Sequence, residues 1–96
     1  MSTHVLDTTT GRPAAGIAVD LYGHEGKVAS GVTNGDGRIP GFATVPSGRY
    51  TAVFGTGEYF PDGLYPVVSI TMNLKPGKVH LPLLLSPFAY STYRGS

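Results

Sequence analysis

Glycine and proline punctuate this chain about every ten residues, and that spacing leaves no room for a helix of ordinary length. Gly11-Arg12-Pro13, Gly23 to Gly26, Asn34 to Gly37, Pro46-Ser47-Gly48, Pro61 to Gly63, Pro76-Gly77 and Ser86-Pro87 cut the sequence into short runs. Each residue type acts by its own physics: Gly opens left-handed backbone, while Pro fixes φ and removes an amide donor. Between the breaks the side chains alternate. Ile17, Val19 and Leu21 oppose Ala18, Asp20 and Tyr22, and Tyr50, Ala52 and Phe54 oppose Thr51 and Val53. A period of two is the mark of a half-buried antiparallel strand. Seven or eight such strands predict an all-β, two-sheet antiparallel sandwich.

In order, strands are expected over 2–7, 15–22, 27–33, 39–43, 49–54, 65–74, 78–85 and 88–94. Thr10 to Pro13 reads as a turn. Glu58-Tyr59-Phe60 has room for at most one short helical turn, because Pro61 and Gly63 follow at once. Ninety-six residues suit one domain, 1–96, with no internal repeat or linker. A core this small is marginal by itself, and with no cysteine it has no disulfide to lean on.

Charge narrows the function classes. The formal net charge is +1, and the seven Lys and Arg are scattered, so nothing tracks a phosphate backbone and nucleic acid is not expected as a partner. No apolar run reaches membrane-helix length and no signal-peptide pattern opens the chain. A cytoplasmic protein without a membrane partner is the expectation. Three histidines without close pairing, and no cysteine, argue against a metal site. No nucleophile elbow, carboxylate pair or phosphate-binding loop is evident.

The residues that stand out lie on strand faces. In 78–85, Val79, Leu81, Leu83 and Leu85 form a core face, which turns His80, Pro82 and Leu84 outward. An outer face holding both a Leu and a His suits an interface better than open water. In 2–7, Thr3 and Val5 share one face while His4 and Leu6 share the other. Arg38 leaves the Asn34 to Gly37 turn, a common place for a solvated Arg. The chain stops on Tyr93-Arg94-Gly95-Ser96, where termini are usually small, polar and frayed; the Gly there is read as a point where the backbone bends. Taken singly, each of these residues has an ordinary surface reading.

Together they carry a resemblance. Ser2 to Asp7 with Gly11-Arg12-Pro13-Ala14, then Gly31 to Arg38, Gly48-Arg49-Tyr50, Gly57 to Phe60, and finally His80-Leu-Pro-Leu-Leu-Leu-Ser-Pro with the terminal Tyr93-Arg94-Gly95-Ser96, occur in the order found in the 5-hydroxyisourate hydrolase family. These are the transthyretin-like enzymes of urate breakdown. The resemblance implies a transthyretin-like sandwich and hydrolysis of the cyclic amide of 5-hydroxyisourate without metal or cofactor. It implies His4, Arg38 and His80 as catalytic residues and Tyr93, Arg94, Gly95 and Ser96 as substrate-binding ones. Either His4 or His80 suits the role of general base. A homotetramer, two dimers facing across a channel, is also implied. The loops around 57–68, 23–27 and 75–79 are shorter than is usual there, as in a shortened or engineered member. The alternatives are a non-catalytic transthyretin-like module holding a small aromatic ligand between subunits, and a plain structural sandwich.

Overall fold

The computed structural model describes all residues, Met1–Ser96. Eight strands follow in chain order: β1 (Ser2–Asp7), β2 (Arg12–Pro13), β3 (Ala18–Gly23), β4 (Gly26–Val32), β5 (Gly48–Phe54), β6 (Val68–Leu74), β7 (His80–Leu85) and β8 (Tyr90–Thr92). They form two four-stranded sheets, β2-β1-β7-β8 and β4-β3-β5-β6. The alternation read along the sequence fixes which faces meet. Val5, Leu81, Leu83 and Leu85 from the first sheet pack with Val19, Leu21, Tyr50, Ala52, Phe54, Val68 and Leu74 from the second, in one core of 14 buried residues. Each large side chain fully withdrawn from water contributes about 1.5–3 kcal/mol.

Buried polar groups are all partnered. Thr3 Oγ1 donates to the Leu81 carbonyl at 2.8 Å, and Thr33 Oγ1 donates to the Ala14 carbonyl at 2.7 Å while accepting from Ile17 N at 2.9 Å. The Asp7 carboxylate accepts from Thr9 N at 2.9 Å and from the Tyr59 hydroxyl at 2.8 Å. Burial pushes the Asp7 pKa up, but these hydrogen bonds outweigh it and hold the group below the ordinary Asp value.

Four features differ from the sequence expectation. β1 and β7 run parallel, so the first sheet is mixed rather than wholly antiparallel. The chain passes from β1 through β2 and then the whole second sheet before it returns to enter β7 parallel to β1. Residues 39–43 form no strand: Pro40 has no amide to donate, and Gly41 sits at φ +60°. Arg12–Pro13, read as a turn, instead pairs with Asp7 and Leu6 at the sheet edge. Several strands also start later than expected, after Gly16 (φ +80°), Pro66, Gly77 (φ +106°) and Pro87. At 56–60 there is one turn and no helix, with Tyr59 N and Phe60 N both bonded to the Thr56 carbonyl.

Candidate active site

The parallel register of β1 and β7 sets Ser2 beside His80 and His4 beside Pro82. Because side chains alternate, Ser2 and His4 emerge on the same outer face as His80 and Leu84. The His4 and His80 rings lie 6.5 Å apart between centroids, tilted by 36°. No hydrogen bond joins them. Instead, His80 Nδ1 is hydrogen-bonded to Ser2 Oγ at 2.8 Å. His80 is held through its backbone as well: Ser2 N donates to the neighbouring Val79 carbonyl at 2.9 Å, and Gly95 N donates to the His80 carbonyl at 2.8 Å.

Arg38 arrives from the other side of β1. The Asn34 side-chain oxygen accepts from Asp36 N at 2.9 Å and Arg38 N at 3.1 Å, and Asn34 N donates to the Arg38 carbonyl at 2.8 Å. This closed ring of bonds presents Arg38 as a single bridge partner of His4. The contact depends on Gly37, which is buried at φ +72°. Its carbonyl accepts from Val5 N at 2.8 Å, and a Cβ at this position would overlap the Val5 carbonyl and press on Pro13. Only glycine meets both conditions.

The terminal residues divide. Gly95 pairs with His80 across the sheet, and a Cβ on it would lie 2.6 Å from the His80 ring and 3.1 Å from Pro82. Its φ is not positive, so what this glycine supplies is room beside the imidazole rather than the expected bend. Gly95 and Ser96 line a hollow of about 340 Å³ with Ser2, Arg38, Lys78, Val79 and His80. His4 is not among the lining residues; it faces His80 from the side. Tyr93 and Arg94 line a neighbouring hollow of about 500 Å³, which also reaches His80 and Lys78. The terminal tetrapeptide therefore brackets His80 from two sides.

Three residues of this region were not singled out from the sequence. Ser2 shares the alternation of His4, which was a usable signal. Lys78 shares that of His80. Gly37 was legible only as a turn residue. His24, in the turn between β3 and β4, is exposed.

Burial holds the His80 pKa below its ordinary value of 6.5, and the nearby Arg38 and His4 lower it further. The imidazole therefore stays neutral at neutral pH, with a lone pair available. A neutral imidazole, a guanidinium and a hydroxyl around a solvent-open hollow can take a proton from water and stabilise an oxyanion. No group of three or more His, Cys, Asp or Glu is arranged to hold a metal ion.

Residues 1–95 match the family model described as HIUase/Transthyretin family. The protein named 5-hydroxyisourate hydrolase 2 from Rhizobium meliloti is 42% identical, with 100% of this chain and 95% of the relative covered. That alignment runs over 117 positions against 96 residues here, so this chain is the shorter of the two by internal omissions. A Klebsiella pneumoniae 5-hydroxyisourate hydrolase structure superposes with a TM-score of 0.90 at 38% identity, over 99% of this chain and 97% of that one. Sea bream transthyretin, solved in complex with thyroxine, superposes with a TM-score of 0.91 at 28% identity, over 98% and 92% of the two chains.

Proposed function

Since the chain belongs to the HIUase/Transthyretin family, we propose that it is a 5-hydroxyisourate hydrolase of urate breakdown, built as one sandwich domain. The observation that carries this reading is His80, a neutral imidazole held between Ser2 and Gly95 and facing Arg38 and His4.

In the tautomer that donates its Nδ1 proton to Ser2 Oγ, His80 keeps an unprotonated Nε2 for water. Water adds to the ring amide carbonyl as Nε2 accepts its proton, forming a tetrahedral oxyanion. The Arg38 side chain, which lines the same hollow as His80, stabilises that charge. The carbon–nitrogen bond then breaks, and the proton on Nε2 passes to the leaving nitrogen. The new carboxylic acid ionises to the ring-opened carboxylate, 2-oxo-4-hydroxy-4-carboxy-5-ureidoimidazoline. His4 orients the water or the substrate from beside the His80 ring. Gly95 and Ser96 bound the ring on one side, and Tyr93 and Arg94 on the other. No metal or cofactor takes part.

Two further parts of the reading are a homotetramer and a cytoplasmic location. Half-buried Leu6 and Leu84 on the same outer face as both histidines support an interface there. No helix is long and apolar enough to cross a membrane.

The test is the ultraviolet decay of freshly generated 5-hydroxyisourate against its spontaneous rate. Acceleration is expected, and His80→Asn should reduce it by about 10² to 10⁴-fold, the usual contribution of a general base. A folded protein that leaves the spontaneous rate unchanged would overturn the reading.

A further inference from the structure

Cationic side chains outnumber carboxylate side chains around both hollows beside His80. Lys78 lines each of them, with Arg38 and the last residue, Ser96, in one and Lys75 and Arg94 in the other. No Asp or Glu lines either hollow. The ion pair of the molecule, Lys27 with Asp20 at 3.8 Å, lies in the other sheet and leaves Lys78 without a carboxylate partner. Position adds to this. Lys78 stands two residues before His80, just ahead of β7, and lines the same two hollows as that histidine. The Pro76-Gly77 break, with Gly77 at φ +106°, ends the preceding turn just before it. An exposed ammonium on a flexible stem beside the base acts as a movable point charge.

We infer that Lys78 is an anion-recognition residue of this site, selecting negatively charged, purine-derived rings. The inference rests on the hydrolase reading above. Lys78 does not move the proton. It raises the local concentration of an anionic ring at the mouth of the site, and this effect is screened by salt. Arg38 offers a planar fork of donors, whereas Lys78 contributes charge alone, so arginine should substitute for it and a neutral side chain should not.

The experiment compares wild type, Lys78→Met and Lys78→Arg in two readouts. The first is calorimetric binding of urate, an unreactive anionic purine, at 20 mM and 300 mM salt (about a fourfold change in Debye length). The second is the steady-state hydrolysis of 5-hydroxyisourate at the same salt concentrations. Lys78→Met should bind urate about fivefold more weakly at low salt, as expected for one partly screened charge. It should also raise KM by a similar factor with kcat nearly unchanged, and both defects should shrink at high salt. Lys78→Arg should restore both. Equal urate affinity and equal salt dependence in wild type and Lys78→Met would overturn the role of Lys78, even with hydrolysis intact. Urate binding that depends on Lys78, in a wild type without hydrolysis, would sustain the anion site and sink the hydrolase reading instead.

Discussion

At the scale of single residues, His80 makes the sharpest demand. Its pKa lies below 6.5 because burial, Arg38 and His4 all disfavour the imidazolium. The acid limb of kcat/KM should therefore fall below pH 6.5. In His4→Asn, with one of those influences removed, the His80 ring should titrate closer to 6.5, which NMR of the ring protons can follow. An unshifted titration would mean that His4 does not act on the His80 ring. The same group bears on stability. The folded pKa lies below the unfolded one, so in acid the unfolded chain binds the extra proton first. The contribution is complete above about pH 6.5 and is lost as the pH falls through the folded value.

At the scale of elements, two glycines next to the site differ in why they are needed, and substitution should separate them. Gly37→Ala meets both a left-handed backbone and an overlap with the Val5 carbonyl. It should cost about 1–3 kcal/mol in stability and lower the midpoint of thermal unfolding. Gly95→Ala meets only the His80 ring and Pro82 at the sheet edge. Its thermal midpoint should stay near that of wild type, while hydrolysis falls by as much as about 10²-fold through a displaced imidazole. A Gly95→Ala protein with full activity would show that the closeness of the tail to His80 has no catalytic consequence. The two strands behind this geometry differ in legibility. β1 and β7 were readable from alternation, because each buries one face. Their parallel pairing was not, since strand direction depends on the route through the second sheet.

At the scale of the whole molecule, 14 buried hydrophobic residues make a small core for 96 residues. Large apolar side chains also remain exposed in one chain, among them Leu64, Val67, Phe88 and Tyr93. Assembly would cover such surface and add stability in proportion to concentration. Light scattering should accordingly report a particle of four 10.0 kDa chains. A monomer at working concentration would remove the channel from the functional reading.

Turn spacing and period-two alternation by themselves determined that the chain is a β-sandwich and that His4 and His80 face away from the core. Those are local properties, set by one residue's φ and its neighbours' burial. The late starts of four strands and the missing strand at 39–43 also have local causes in Gly and Pro, but their effect depended on which neighbours were there to pair. Only the tertiary structure decided that Ser2 bonds the His80 ring, that Gly37 must be glycine for Arg38 to reach His4, and that Gly95 leaves space rather than making a bend. Each of those facts joins segments far apart in the chain. Alternation assigns a side chain to a face but leaves open which distant strand lies beside it.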